Sequence, residues 1–304
     1  MRLTGLSART RLAWPRLARS WRGRRVFAGS VLAAFGAVSA VVQFVSQLFP
    51  GTVSRPGPVL AGCVALCLAW GLARARPQSS VRQEFGRPGM TVVVEEGDLF
   101  ERPGHLVVGF TDTFDTRVDD GGVINDGSVQ GQLLARAYAG DAGRLDAELA
   151  GALAGVAPVS WESARDKPRG KRARYPIGTV AVLGARPSLV FAVAYSRMGN
   201  DGVASSGVED LWLGLERLWD AVRRHGQLES LTMPLTGAGL ARLHDLDEDS
   251  LLRLILLSFV VHSWERRVCR ELRVVIRPAE LGRIDLPETG AFLAGLAAGA
   301  RRHT

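Results

Sequence analysis

The chain has 304 residues, a formal net charge of +8, 47% hydrophobic residues and three cysteines. The charge is lopsided: residues 1–90 hold thirteen Arg and one acid, Glu84, a balance of +12, which leaves −4 for residues 91–304. The larger part therefore lacks the clustered basic face that nucleic acid requires, and Cys63, Cys67 and Cys269, with neither a CxxC pair nor metal-ligand spacing, exclude a disulfide framework and read as buried free thiols.

The first apolar run, residues 26–49, holds 24 residues without a charge. As a helix it would reach ~36 Å, more than a hydrocarbon core of ~30 Å requires. Pro50 and Gly51 end it, and a second run follows at 57–73. The pair predicts a transmembrane hairpin. It is too long for a signal peptide. Eight Arg precede it, Arg55 alone lies in the connection, and Arg74, Arg76, Arg82 and Arg87 follow. By the positive-inside rule both termini are expected in the cytoplasm, with the chain a multi-pass protein of the cell inner membrane and the lipid bilayer as a partner. Gly29, Ala33 and Ala37 form a small-residue stripe on the first span, which hints at a homo-oligomer. The expected division is a basic N-terminus (1–25), two spans (26–74), a Pro/Gly-rich linker (75–89), one domain (90–285) and an Ala/Gly-rich tail (286–304).

In the domain, strands are expected at 91–94 and 105–110, and helices at 128–138 and 141–153. Strands at 178–184 and 189–196 follow. Val208, Leu211, Trp212, Leu215, Leu218, Trp219 and Val222 recur at three and four, one apolar stripe of a helix that Gly226 closes. A strand is expected at 230–235, a helix at 245–267 and a last strand at 271–278. The helix core "LLRLILLSFVVHSW" is apolar enough to suggest a span, but Arg253 sits within it, so a buried core helix is expected. Alternation of strand and helix predicts an α/β fold, a mixed, mostly parallel sheet with helices on both faces. Ligands of such sheets bind at the carboxyl ends of strands.

The loops there carry the unusual residues. "GDLF" (97–100) follows the first strand, where the Asp98 carboxylate can accept from an exocyclic amine or cap a turn, with Leu99 beside it. The second strand runs into "GFTDTFDTRVDDGGVIND", with five carboxylates and three glycines. Asp112, Asp115, Asp119 and Asp120 offer oxygens to a hard cation, but the EF-hand pattern is missing and no metal is expected. "TGAG" (236–239) ends the late strand; its glycines let backbone N–H groups surround an anion, or form a plain turn. Neither GxxxxGK[ST] nor GxGxxG is present. The histidines are scattered, and His262 on the apolar helix reads as a satisfied core residue.

The order of "GDLF", a glycine-containing loop, "YPIGTVAVLG", "AYS", a long helix and "MPLTGAGLARL" resembles a macro domain over about residues 90–280. "GFTDTFDT" and the two preceding apolar runs look most like the macro-domain effectors of Thoeris antiphage defence. The resemblance implies a three-layer α/β/α macro-like domain that needs no cofactor and binds an ADP-ribose-like ligand. It implies that Asp98, with Leu99, contacts adenine and that Thr236, Gly237, Ala238, Gly239 and Leu240 hold the diphosphate. Phe110, Asp112, Thr113, Phe114 and Asp115, with Ser196 and Arg197, would shape the distal end. It further implies a TIR-domain enzyme as functional partner, making an ADP-ribose-derived signal that triggers membrane disruption. The Asn-rich stretch of macro hydrolases is replaced here, which favours binding over catalysis and assigns no catalytic residue. The alternatives are a membrane-tethered ADP-ribosyl hydrolase using Asp112, Asp115 or Asp119 as base, and an interaction module without a ligand.

Overall fold

The computed structural model describes residues 21–48, 56–74, 79–118, 123–237 and 246–300. The chain divides into two compact units, Met1–Gln78 and Ser79–Thr304. In the first, α1 (Trp21–Leu48) packs against α2 (Pro56–Arg74). Among the described residues, no helix is long and apolar enough to cross a membrane. In α1, Gly29, Ser30, Gly36, Ser39 and Gln43 interrupt the apolar surface. The expected transmembrane hairpin, and the multi-pass inner-membrane location built on it, are corrected accordingly.

The second unit is built from alternation of period two. In β2 (Met90–Glu96), Val92 and Val94 point into one core; in β10 (Glu271–Ile276), Leu272, Val274 and Ile276 do the same. The sheet order is β1-β2-β10-β9-β3-β7-β6, with β1 (Ser80–Phe85), β9 (Leu231–Pro234), β3 (His105–Thr111), β7 (Ser188–Met198) and β6 (Val180–Ala185). β2, β10, β9, β3 and β7 run parallel, and the antiparallel edge strands β1 and β6 flank them. β1 occupies the stretch expected to be linker: its Val81 and Phe85 join the core, a pairing that only the finished sheet makes evident. A short ribbon, β4 (Ser160–Trp161) with β5 (Ala173–Arg174), stands apart, and β8 (Ala204–Ser205) pairs with the end of β7.

Helices cover both faces. α3 (Val129–Ala137) and α4 (Ala142–Leu153) bury Leu133, Leu134, Leu145 and Leu149 against Val108, Phe110, Ala192 and Ala194. α5 (Val208–His225), α6 (Glu248–Glu265) and α7 (Leu286–Ala300) bury Leu218, Trp219, Ile255, Phe259 and Leu293 on the other side. Of the stripe read for α5, Leu211, Leu215, Leu218, Trp219 and Val222 are buried, while Val208 and Trp212 are half-buried. Trp219 meets Phe259 edge-on with ring centroids 5.4 Å apart, and its indole N–H donates to the Ser258 hydroxyl at 2.8 Å. The Ala/Gly-rich tail forms α7, which packs on β1.

Candidate functional site at the carboxyl ends of the parallel strands

The carboxyl ends of β2, β3, β7, β9 and β10 open into one cleft of about 1150 Å³. A parallel sheet aims its strand ends and the following helix N-termini at the same edge, so the site lies where the topology requires. One end is formed by Asp98, Leu99 and Phe100 after β2 and by Val275, Arg277 and Glu280 after β10. Asp98 caps a single 3₁₀ turn (Leu99–Glu101): its Oδ1 accepts the Phe100 N–H at 3.0 Å, and its Oδ2 takes Arg136 Nη1 at 2.7 Å. The Phe100 N–H, then Arg136 and Arg102, hold its carboxyl below the ordinary range against a modest desolvation cost. The Arg136 guanidinium also lies over the Phe100 ring at 5.2 Å. Arg277 pairs with Glu280.

The middle of the cleft is a backbone surface. Gly109 lies beside the Tyr195 ring so closely that a Cβ would fall 2.2 Å from its Cε1. Gly214 of α5 borders Tyr195 on another side. Burial pushes the Tyr195 hydroxyl up to about 12, although the nearby Gly237 N–H pulls the other way. The hydroxyl thus lies against the Thr236–Gly237 turn, in which Gly237 has φ +95° and the Thr236 hydroxyl donates to the Pro234 carbonyl at 3.3 Å. Across from it, α3 turns its N-terminus to the cleft through Ser128, Val129 and Gln130. The Ser128 hydroxyl caps it by accepting the Gly131 N–H at 3.0 Å. A helix N-terminus facing a glycine turn favours an anion through oriented N–H groups. Val123, Met198, Gly202 and Val203 close the far end.

A family model described as the macro domain of Thoeris protein ThsA matches residues 92–277, more than half of the chain. The chain belongs to the ThsA macro-domain family. The Thoeris protein ThsA of Bacillus amyloliquefaciens (strain Y2) is 26% identical over 194 residues, covering 62% of this chain and 63% of that relative. The match thus spans less than two thirds of the relative's length. Among solved structures, the Oceanobacillus iheyensis macrodomain with ADP is 14% identical, covering 72% of this chain and 99% of its own, at a TM-score of 0.46. A mutant of the same macrodomain with ADPR is 14% identical, covering 71% and 99%, at a TM-score of 0.47.

In this ThsA-family macro domain, Asp98, Leu99, Phe110, Ser196, Thr236 and Gly237 come together on the cleft. Ala238, Gly239 and Leu240 lie outside the described residues, as do Asp119 and Asp120. Asp112, Thr113, Phe114 and Asp115 form a buried layer beneath the cleft and do not line it. Asp112 accepts the Met198 N–H at 2.8 Å and pairs with Arg174 at 2.8 Å; Arg174 also reaches Asn200 at 2.8 Å. Asp115 faces Lys167 at 3.4 Å, both nearly inaccessible, and accepts the Thr113 hydroxyl at 2.5 Å. Lys167 Nζ satisfies its remaining donors on the Arg169 and Lys171 carbonyls. Phe114 stacks on Phe110 with centroids 5.6 Å apart. These carboxylates are spent on bracing the loop. Arg197 points away and pairs with Asp210 at 3.0 Å.

Among the described residues, no group of His, Cys, Asp or Glu could hold a metal ion. The two buried-side histidines are structural: His105 Nε2 donates to the Gly226 carbonyl at 3.0 Å while Nδ1 accepts the Leu189 N–H at 3.1 Å, and His262 Nδ1 meets the Ser258 carbonyl at 2.9 Å. Sequence reading missed Asn125, Met198, Arg277 and Glu280 on the cleft. Asn125 supplies an asparagine after all, although its Oδ1 already accepts the Gly127 N–H at 2.9 Å. Arg277 and Glu280 escape notice because β10 is last in sequence yet sits between β2 and β9 in space.

Proposed function

We propose that this chain is the receptor of an ADP-ribose-related signal in Thoeris antiphage defence, the signal being made by a TIR-domain enzyme. The observation that carries this reading is the polarity of the cleft. One end holds an ionised, pre-aimed carboxylate at Asp98 beside the Phe100 ring, suited to an amine-bearing aromatic base. The middle holds the Thr236–Gly237 turn facing the α3 N-terminus, suited to a diphosphate. The far end, lined by Val123, Met198 and Val203, is apolar, suited to a group that varies between signals. Family membership supports the same assignment. Arg277, the one cation among the described lining residues, is already paired with Glu280, so the phosphates are received by backbone N–H groups. The receptor works as a homo-oligomer.

The test is calorimetric titration of the full-length chain with ADP-ribose and with the product mixture of a TIR enzyme. Binding of either, lost in Asp98→Asn with an unchanged unfolding midpoint, is the expected result. A folded chain that binds neither refutes the reading.

A further inference from the structure

One face of α3 runs from the middle of the cleft to Asp98. Val129, Gln132 and Arg136 recur at three and four and so share that face. Val129 and Gln132 line the cleft. Arg136, one turn further on, is not among the described lining residues; its Nη1–H donates to Asp98 Oδ2 at 2.7 Å. Two further features hold the guanidinium there. It lies over the Phe100 ring at 5.2 Å, and it stands in the last turn of α3, where the carbonyl ends favour a cation. The other charged groups around the turn are engaged or of the wrong sign: Arg102 pairs with Glu95 at 2.8 Å, Arg277 pairs with Glu280, and Glu96 and Glu101 are acids.

We propose that Arg136 is the positioning residue of base recognition, turning the Asp98 carboxylate toward the exocyclic amine of the ligand's base and keeping it charged. The inference rests on the receptor reading above. The Phe100 N–H takes one lone pair of Oδ1 and Arg136 takes one of Oδ2, so each oxygen keeps a second for an incoming donor. The two oxygens are held from two different segments, so the carboxylate cannot rotate without breaking one of the two bonds. A ligand amine then meets an acceptor already in place, and less ordering is left to do on binding. Arg136 also helps to keep a proton off the carboxyl, which would turn the acceptor into a donor facing the amine. An exocyclic carbonyl in place of the amine meets a fixed negative charge and is refused. Base choice therefore depends on a residue that does not touch the base.

The experiment titrates the full-length chain calorimetrically with ADP-ribose and with its hypoxanthine analogue, which has a carbonyl where adenine has its amine. Arg136→Met keeps an unbranched side chain over Phe100 and removes the charge and the donors. The arginine side chain is 47% exposed, so the pair is a weak one and the unfolding midpoint is expected to hold. Wild type is expected to prefer ADP-ribose. Arg136→Met is expected to lower ADP-ribose affinity ~2–5-fold and to leave the analogue unchanged, so that the preference narrows by the same factor. In carbon-13 NMR with labelled aspartate, the Asp98 carboxyl is expected to titrate at a higher pH in the variant than in wild type. Equal loss for both ligands, tighter ADP-ribose binding in the variant, or an unmoved Asp98 titration each overturn the proposal while leaving the receptor reading in place. So does a wild type that binds the two ligands equally. A folded wild type that binds neither overturns both. Should Arg136→Met lower the midpoint, Arg136→Gln, which keeps a polar end at this half-exposed position, decides through the same NMR titration.

Discussion

Replacing Gly109 by Ala tests how the cleft is built. The added Cβ would stand 2.2 Å from Cε1 and 3.0 Å from Cδ1 of Tyr195, a separation no carbon pair tolerates. The base of the side chain is held, because α5 approaches so closely at Gly214 that a Cβ there would lie 3.0 Å from the Tyr195 Cβ; the ring must therefore turn rather than shift with its backbone. Overpacking of this kind costs ~1–3 kcal/mol. Displacing the ring also draws the Tyr195 hydroxyl away from the Gly237 N–H, at most a further ~0.5–1.5 kcal/mol. A loss of ~2–4 kcal/mol is expected in urea unfolding of the full-length chain, with ADP-ribose affinity falling because the Thr236–Gly237 turn loses its seat. Tyr195→Phe separates the two terms. It keeps the ring and removes only the hydroxyl, so stability should fall by ~0.5–1.5 kcal/mol while affinity still drops. Tyr195→Ala added to Gly109→Ala removes the clash, and the pair should be less than additive by ~0.5–3 kcal/mol. Gly109→Ala with an unchanged midpoint and unchanged affinity would refute the account of a ring wedged between strand and helix and holding the loop.

Asp112→Ala leaves the buried Met198 N–H without its acceptor and takes one partner from Arg174, which keeps Glu162 and Asn200, so a loss of ~1–3 kcal/mol is expected in denaturant unfolding. Arg197→Ala removes a pair whose arginine is 60% exposed, so it should shift the midpoint by less than ~1 kcal/mol and leave ligand affinity unchanged in the same titration. Stability should also fall at alkaline pH. Burial raises Tyr195 from 10.0 to about 12 and Cys269 from 9.0 to about 12. Both groups stay neutral in the folded chain while the unfolded chain ionises, so their contribution is full below pH ~9 and is lost as pH rises to ~12, at up to ~1.4 kcal/mol per unit for each group. Thermal unfolding across that range checks it, and Cys269→Ala should remove the part that begins at the lower pH. Asp98 behaves in the opposite sense: its carboxyl is depressed, so its contribution is present above the ordinary carboxylate value of 3.8 and is lost only as pH falls through the lower folded value. Ligand affinity should therefore be flat down to about that pH.

Periodicity located the elements because burial on one face imposes it. Leu211, Leu215, Leu218, Trp219 and Val222 of the α5 stripe and the alternating Val92 and Val94 all enter one core. The neighbours of a strand are a different kind of fact. β1 hides in a polar stretch because an edge strand buries only Val81 and Phe85, and the placement of β10 between β2 and β9 is written in no local pattern. The acidic loop after β3 shows the same limit at the site. A run of carboxylates has one signature in sequence whether it meets a ligand or a lysine. Which of the two it meets is decided by the segment of residues 159–174, remote in sequence, which brings Lys167 under Asp115 and Arg174 against Asp112. Desolvation then makes those pairs obligatory: once buried, each carboxylate must be matched by a charge or hydrogen bonds from its own chain, and it has no capacity left for a ligand. Asp98 differs because it stays partly solvated at a turn, where its oxygens can still exchange partners. Exposure, not residue type, separates the carboxylate that can read a ligand from the two that hold the wall behind it.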